Sequence, residues 1–355
     1  MQPIETENYT IYFNEQSYIA LEALAAPGSY SKIVIVADSN TATHCLSVFL
    51  PQVVTDVPFE IIEIDPGEEN KNIDTCVQIW HTLAELEADR KCLIINLGGG
   101  MVTDLGGFIA STFKRGVDFI NVPTSLLAMV DASIGGKTGV DLGHLKNQVG
   151  VINNPVAVLI NTQFLDTLSA NEMRSGLAEM LKHGLIADAD YWNSLTDLSS
   201  LTTDDLGELI RKSVLIKNAI VLQDPYEKGI RKVLNFGHTL GHAIESHYLA
   251  SEDKTILLHG ESVAAGMVLE SHISKEMNLI SNEEYLSIAS VINSIFEKID
   301  FSQGDIETII ELLAHDKKNE FGAVNFVLLD GIGNAVINQP VGNELIYNAF
   351  SAYKS

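Results

Sequence analysis

The sequence is poor in positive charge. It has 22 Lys and Arg against 47 Asp and Glu, which gives a formal net charge of -25 at pH 7. A surface of that sign repels the phosphates of nucleic acids and the headgroups of anionic lipids. We therefore expect neither a nucleic acid nor a membrane as a partner. The same scarcity makes a group of Lys and Arg informative, because cations gathered in a glycine-rich segment indicate a pocket for an anionic ligand.

Cysteines and long apolar runs are scarce as well. The three cysteines, Cys45, Cys76 and Cys92, have no CxxC spacing, which argues against a disulfide framework and against a zinc ribbon. No apolar run approaches the roughly 18 to 20 residues that span a bilayer. The first residues, MQPIETENYTIYF, are acidic and polar rather than typical of a targeting segment. The sequence predicts a cytoplasmic protein with reduced, buried thiols.

The 355 residues are enough for two domains, each with its own core. Short β-branched runs alternate with an amphipathic stretch in the first part, and long segments of 3.6-residue periodicity follow from about residue 169. We predict an α/β domain with a mainly parallel, Rossmann-like sheet at 1–168. A mostly α-helical domain is predicted at 169–355, with a late β-hairpin near 321–337.

The elements predicted from these patterns have the following bounds. In the first domain they are strands at 32–40, 59–65, 91–100, 117–125 and 156–162, and a helix at 73–88. In the second domain they are helices at 171–187, 203–224, 236–248, 259–278, 283–298 and 305–315.

A triple glycine follows the predicted strand LIIN. Glycine lets the backbone approach a pyrophosphate closely and direct its N–H groups at the phosphate oxygens, next to a helix N-terminus. The segment LGGGMVTD is not the GxGxxG fingerprint, and a GGG turn alone is more often only a tight strand-to-helix connection. Four polar residues favour a dinucleotide site: Asp38 and Asn40 for ribose hydroxyls, and Glu68 and Lys71 for an adenosine edge.

A second glycine-rich segment carries cations. Within VDASIGGKTGVD and GHLKNQVG lie Asp131, Lys137, Lys146 and Asn147. Each lysine alone would usually be a solvated surface residue, but their grouping in an acidic chain favours phosphate binding.

Histidines are concentrated in the predicted helical domain. Glu179, Lys182 and His183 share one helical face, His238 and His242 are four residues apart, and His259 follows later. One carboxylate with two imidazoles is a typical catalytic zinc set with an open coordination position. Spacing alone leaves the ligands undecided, because Glu179 with His183 and His238 with His242 both satisfy the i, i+4 geometry.

These motifs, in this order, resemble the 3-dehydroquinate synthase family of sugar phosphate cyclases. The similarity extends over roughly 35–335 and lies in GGGMVTDLGGF, FKRGVDFINVPTSLLAMVDASIGGKTGVD, KNQVG, SGLAEMLKHGLI, LNFGHTLGHAIE, LLHGESVAAGM and DKKN. One departure is Thr103, which stands where the family usually has glycine.

The resemblance implies a set of site residues. The metal ligands would be Glu179, His238 and His259. The catalytic and substrate-binding residues would be Arg115, Asp131, Lys137, Lys146, Asn147, Lys182, Lys217, Arg231, Asn235, His242 and either Lys317 or Lys318. The NAD-binding residues would be Asp38, Asn40, Glu68, Lys71, Gly99, Gly100, Asp104, Thr124, Ser125, Lys137, Lys146 and the stretch from Phe164 to Thr167.

The implied reaction converts 3-deoxy-arabino-heptulosonate 7-phosphate to 3-dehydroquinate and phosphate. NAD would be recycled, Zn or Co would assist, and family analogy implies a homodimer. Two other interpretations stay open: a related cyclase acting on a different sugar phosphate, and a metal-dependent polyol dehydrogenase. Substrates of the rival cyclases lack the carboxylate, so the candidate carboxylate anchors Arg231, Lys217 and Asn235 favour dehydroquinate synthase.

Overall fold

The chain divides into two compact units, Met1–Ser169 and Ala170–Ser355. The computed structural model describes residues 1–143, 145–197, 202–251, 253–314 and 324–354. The sequence pattern placed the division after residue 168. Among the described residues, no helix combines the length and the apolar character that crossing a membrane requires.

The first unit contains a seven-stranded sheet and a separate two-stranded hairpin. The strands are β1 (Ile4–Glu5), β2 (Thr10–Phe13), β3 (Lys32–Asp38), β4 (Phe59–Ile64), β5 (Cys92–Gly98), β6 (Asp118–Pro123), β7 (Lys137–Leu142), β8 (Leu145–Ile152) and β9 (Ala157–Ile160). The helices are α1 (Glu15–Leu24), α2 (Ser39–His44), α3 (Leu46–Phe49), α4 (Ile73–Glu85) and α5 (Gly100–Thr112).

The sheet has the order β1-β2-β9-β6-β5-β3-β4 and is parallel except for β1. Strands β3 and β5 lie next to each other, and every residue of β5 is buried. Their continuous β-branched and leucine content is typical of strands covered on both faces. The predicted α/β class with a mainly parallel sheet is confirmed.

The strand order reverses between β3 and β5. From β3 the chain proceeds to β4 on one side, and it then returns to place β5 on the other side. In open α/β sheets, ligands bind outside the carboxyl ends of strands at such a reversal. Asp38 ends β3 and the glycine turn follows β5, so the fold places both predicted cofactor-binding segments at this edge.

The glycine turn enters α5 directly. A Cβ on Gly98 would lie 2.5 Å from the side chain of Val102, so only glycine fits there. Thr103 lies in the first turn of α5, where its hydroxyl donates to the carbonyl of Gly100 at 3.1 Å. The threonine is therefore accommodated in a regular helical turn.

The second unit is mostly helical, as predicted, with one hairpin. Its elements are α6 (Ala170–Ala187), α7 (Ala189–Leu195), α8 (Thr203–Gln223), α9 (His238–Ala250), α10 (His259–Glu276), α11 (Asn282–Ile295), α12 (Gln303–Ala314), β10 (Val324–Leu329), β11 (Ala335–Val341) and α13 (Asn343–Lys354). β10 and β11 are antiparallel. The predicted hairpin is present, and residues 321–323 lie outside the described residues.

Helix α10 is the centre of this unit, where it packs against α6, α9, α11 and α13. Two glycine contacts bring its neighbours close. A Cβ on Gly266 of α10 would lie 2.0 Å from the carbonyl of Gly237, which precedes α9. A Cβ on Gly260 of α10 would lie 2.3 Å from the carbonyl of Ser175 on α6. The backbones of α6 and α9 therefore approach α10 at distances that a side chain would prevent.

Candidate functional site

Three side chains from three helices meet in the second unit. Glu179 lies in the middle of α6, and His238 and His259 are the first residues of α9 and α10. Glu179 Oε1 is 3.4 Å from His238 Nε2 and 3.6 Å from His259 Nε2. Glu179 is fully buried and His238 is 7% exposed. A carboxylate oxygen and two imidazole nitrogens therefore converge at one point.

The opposite nitrogen of each imidazole has its own partner. His238 Nδ1 is 3.1 Å from the carbonyl oxygen of Phe236, and His259 Nδ1 is 3.2 Å from Glu245 Oε2. Both partners are acceptors, so Nδ1 carries a proton in each ring, and in the neutral ring the lone pair is therefore on Nε2. Metal-binding histidines are held in this way by a carbonyl or a carboxylate behind them.

The spacing of the three ligand atoms fits a metal ion. Ligand atoms of a tetrahedral zinc, each about 2.0 to 2.1 Å from the ion, are separated from one another by about 3.3 to 3.4 Å. The two distances from Glu179 Oε1, 3.4 and 3.6 Å, are close to this separation and longer than a good hydrogen bond. Glu179 Oε1 is buried and has no hydrogen-bond partner among the residues that the structure describes. One carboxylate and two imidazoles suit Zn and Co.

A third imidazole lies beside this group. The ring of His242 is 5.0 Å from that of His238 and 5.8 Å from that of His259, measured between centroids. One ligand nitrogen from each of the three histidines lies within 4.8 Å of the others. His242 is one helical turn after His238, so α9 presents both rings on the same face.

Lys182 sets the electrostatics of the group. It forms a buried ion pair with Glu179 Oε2, which leaves Oε1 for the imidazoles. Burial raises the pKa of Glu179, but Lys182 and His238 outweigh it and hold the pKa well below its usual range. Burial, with Lys182, lowers the pKa of His238. Burial also lowers the pKa of His259, but Glu179 and Glu245 raise it to about 10.

In the first unit, four of the predicted cofactor-binding residues form a chain of ion pairs. Lys71 Nζ lies 2.9 Å from Asp104 Oδ2 and 3.3 Å from Glu68 Oε1, and Lys146 Nζ lies 3.1 Å from the same Glu68 oxygen. Burial lowers the pKa of Lys71, but Asp104 and Glu68 raise it above its usual value. Burial raises the pKa of Asp104, and Lys71 opposes that shift.

The glycine turn lies against the segment that follows β6. A Cβ on Gly99 would lie 3.3 Å from the hydroxyl of Ser125, and the Thr124 N–H donates to the Gly98 carbonyl at 3.0 Å. Asp38 caps α2 by accepting the Thr41 N–H at 2.8 Å. The turn and these residues occupy the carboxyl ends of three adjacent parallel strands, β3, β5 and β6.

Comparison with known proteins shows the family. Residues 61–175 match the family described as 3-dehydroquinate synthase N-terminal, and residues 176–319 match its C-terminal counterpart. A 3-dehydroquinate synthase from Parabacteroides distasonis is 42% identical over 331 residues, which cover 92% of each chain. The chain belongs to the 3-dehydroquinate synthase family. The main functional prediction from the sequence is confirmed.

Two solved structures share the fold over nearly the whole chain. A 2-epi-5-epi-valiolone synthase from Streptomyces hygroscopicus, solved with NAD+ and Zn2+ bound, has a TM-score of 0.84 at 26% identity and covers 100% of this chain and 99% of that one. A 2-deoxy-scyllo-inosose synthase complexed with carbaglucose-6-phosphate, NAD+ and Co2+ has a TM-score of 0.84 at 24% identity, with 98% of each chain covered.

The predicted substrate-binding residues of the second unit have defined places. Lys217 is buried on α8. Arg231 is 2% exposed, and its Nη1 donates to the Pro225 carbonyl at 2.7 Å. Asn235 donates to Glu227 Oε1 at 2.8 Å. His183, the alternative ligand by spacing, has Nδ1 2.7 Å from the Ser213 hydroxyl. Lys317 and Lys318 lie outside the described residues.

The remaining predicted residues lie in the first unit, on the hairpin, on helix α2 and in short helical turns. Lys137 begins β7, and the backbone N–H of Asn147 on β8 donates to Asp141 Oδ1 at 2.6 Å. Asp131 lies in a π-helical turn at Ala128–Ala132. The others are Arg115, which is exposed in the turn after α5, Asn40 on α2, and Phe164 and Thr167 on the 3-10 helix Thr162–Thr167. Their roles toward ligands remain predictions.

Sequence reasoning missed Glu245, the carboxylate behind His259. It lies within the quoted motif LNFGHTLGHAIE, three residues after His242 and seven after His238. The i, i+4, i+7 spacing places all three on one face of α9, and that periodicity could have identified it.

Proposed function

We propose that this member of the 3-dehydroquinate synthase family acts as a carbon-oxygen lyase that uses catalytic NAD and a divalent cation. Its substrate would be 3-deoxy-arabino-heptulosonate 7-phosphate, and its products 3-dehydroquinate and phosphate. The observation that carries the proposal is the convergence of Glu179 Oε1 with the Nε2 atoms of His238 and His259, each imidazole being held from behind by an acceptor.

Glu179, His238 and His259 would hold the cation. When bound, a divalent cation supplies Lewis-acid polarisation of a substrate hydroxyl. The protein's contribution is the fixed position of the ligands. Glu245 and the Phe236 carbonyl orient the imidazoles, and Lys182 keeps Glu179 ionised by pairing with its second oxygen.

The carboxyl edge of the sheet would hold NAD. When bound, NAD supplies a reversible hydride acceptor, and a redox-neutral reaction regenerates it. Gly99 and Gly100 offer backbone N–H groups at the start of α5, where a pyrophosphate is stabilised by the helix N-terminus. Support also comes from the 2-epi-5-epi-valiolone synthase, whose structure was solved with NAD+ and Zn2+.

Cationic and polar side chains would bind the two anionic ends of the substrate. Arg231 and Lys217 are candidates for the carboxylate, because a guanidinium matches a carboxylate with two parallel hydrogen bonds. Lys146, Asn147 and His242 are candidates for the phosphate. A departing phosphate takes the electron pair of the broken C–O bond, and a fixed cation stabilises that charge. We further propose a homodimer in the cytoplasm, where the free Cys45, Cys76 and Cys92 would stay reduced.

A single assay distinguishes this function from its rivals. Purified protein with NAD is incubated with the heptulosonate phosphate, and phosphate release and NADH absorbance are followed before and after treatment with a chelator. We expect phosphate release without net NADH, lost on chelation and restored by Zn or Co. Net NADH formation would indicate a polyol dehydrogenase. Phosphate release from sedoheptulose 7-phosphate or glucose 6-phosphate but not from the heptulosonate would indicate another cyclase.

A further inference from the structure

A fully buried carboxylate from another helix contacts the N-terminus of α9, the helix that carries His238 and His242. Glu270 belongs to α10, the central helix of the second unit, and it is 0% exposed. Its Oε2 accepts the backbone N–H of Gly237 at 2.6 Å, and its Oε1 accepts the backbone N–H of Leu240 at 3.0 Å. The two N–H donors lie on either side of His238 in the sequence. The Glu270 carboxylate therefore binds both ends of the backbone turn that carries His238.

The sequence around Gly237 explains why the acceptor comes from another helix. The N-terminal N–H groups of a helix are usually satisfied by a Ser, Thr, Asp or Asn side chain at the capping position. Here the cap is Gly237, which has no side chain and a left-handed φ of 77°. A Cβ at this position would lie 2.5 Å from Met267, so no capping side chain fits. Glu270 supplies the missing acceptor.

The close packing of α9 on α10 makes the contact possible. Gly266 lies one turn before Glu270, and a Cβ on it would lie 2.0 Å from the Gly237 carbonyl. Because neither Gly237 nor Gly266 has a side chain, the backbone of α9 lies close enough to α10 for the Glu270 carboxylate to reach it. A negative charge at a helix N-terminus is also favourable, because it faces the positive end of the helix dipole.

We propose that Glu270 is a positioning residue for the metal centre. It fixes the first turn of α9 and thereby directs His238 Nε2 at Glu179 Oε1. The proposal rests on the metal site proposed above. Replacing one carboxylate oxygen by an amide NH2 would set a donor against a backbone donor, so the turn would rearrange and displace His238.

The test measures metal binding rather than turnover. We compare wild type, Glu270→Gln and the matched control Glu284→Gln for Zn affinity, by competition with a chromophoric chelator, and for the d–d absorption spectrum of the Co-loaded protein. Glu284 caps α11 by accepting the Ser281 N–H at 2.8 Å, and α11 carries none of the proposed metal ligands. We expect Glu270→Gln to weaken Zn binding by roughly 10- to 100-fold and to change the Co spectrum. Glu284→Gln should do neither.

Other outcomes separate the two proposals. Wild-type affinity and an unchanged spectrum in Glu270→Gln would overturn the positioning role alone, as would an equal loss of affinity in both variants. Absence of Zn binding by the wild type would overturn the metal site itself. If Glu270→Gln does not fold, Glu270→Asp replaces it: the shorter arm cannot reach both N–H groups, so weaker Zn binding supports the proposal and wild-type binding contradicts it.

Discussion

At the scale of single residues, Glu245 holds the outer nitrogen of His259. The carboxylate increases the basicity of the imidazole and fixes its tautomer. We predict that Glu245→Gln weakens Zn binding by roughly 10-fold or more while the protein remains folded. Competition titration with a chelator measures the affinity. Glu276→Gln, at the far end of α10 where Glu276 pairs with Lys275 at 2.7 Å, is the control. Equal affinities of the two variants would contradict the role of Glu245.

Lys71 is a buried cation near the carboxyl edge of the sheet. Its removal would leave Asp104, whose side chain is only 19% exposed, without its positive partner. Breaking a fully buried pair in this way typically costs about 3 to 5 kcal/mol of stability. We therefore predict that Lys71→Met lowers the free energy of unfolding by up to about that amount, measured by urea denaturation. The double variant with Asp104→Leu should recover part of the loss, because it removes the isolated charge as well. A Lys71→Met protein as stable as the wild type would show that the pair contributes nothing.

Single residues also show the limits of sequence reasoning. The family resemblance grouped Lys71, Asp104 and Glu68 as expected NAD-binding residues, and the structure places the three side chains next to one another. Their mutual ion pairs were not expected, because spacing does not reveal whether a charge faces a ligand or a neighbour. Glu270 was missed for a related reason. The sequence of a buried helical segment does not indicate that one of its side chains accepts a hydrogen bond from Gly237, 33 residues away.

At the scale of secondary structure, the glycine contact between α9 and α10 has a direct test. We predict that Gly266→Ala destabilises the protein by about 1 to 3 kcal/mol, because its methyl group would collide with the Gly237 carbonyl. The control is Gly304→Ala in α12, where the nearest atom to an added Cβ is 3.9 Å away. That change should be neutral or slightly stabilising, since alanine favours helix over glycine. Urea denaturation measures both, and equal effects would contradict the close approach.

Asp305 joins α12 to the end of α9. Its carboxylate contacts His247 Nε2 at 2.7 Å and Lys254 Nζ at 2.9 Å. Burial raises the pKa of Asp305, but the hydrogen bonds from His247, Lys254 and Ser302 outweigh it and hold the pKa below the usual value of 3.8. The pKa of Asp305 is therefore lower in the folded protein than in the unfolded chain. Its ionised carboxylate stabilises the fold at pH values above the unfolded-state pKa, and this stabilisation is lost as the pH falls through the folded-state pKa.

We therefore predict that the difference in unfolding free energy between wild type and Asp305→Asn depends on pH. Wild type should exceed Asp305→Asn in unfolding free energy at about pH 7, and the difference should shrink progressively below about pH 4. Denaturant titrations at several pH values measure it. A difference that stays constant or grows on acidification would contradict the ionised contact.

Many elements followed from periodicity, but several boundaries, the strands β1, β2, β7 and β8, and helices such as α1, α7 and α13 did not. The helix predicted from residue 236 begins at His238, because Gly237 adopts a left-handed conformation that ends the preceding turn. No element was predicted for the glycine-rich segment around Lys137 and Lys146, and it forms the hairpin β7 and β8. The two strands pair through backbone hydrogen bonds on either side of the turn. Amino-acid composition alone does not specify that pairing.

At the scale of the whole molecule, the sequence indicated two units of different class, and the structure divides into a sheet-based and a helical one. The order of the motifs along the chain identified the family, whereas physical spacing alone left two ligand pairs open. The structure brings Glu179, His238 and His259 together through three helices that no local pattern links. Tertiary packing, rather than sequence spacing, therefore selects this set.

The central claim is that one cation is bound by these three residues. The most direct measurement is an anomalous difference map from crystals grown with Co or Zn, recorded at the absorption edge of the metal. We predict a single strong peak about 2.0 to 2.2 Å from Glu179 Oε1, His238 Nε2 and His259 Nε2. A peak elsewhere, or one coordinated by His238, His242 and His259 without Glu179, would contradict the account.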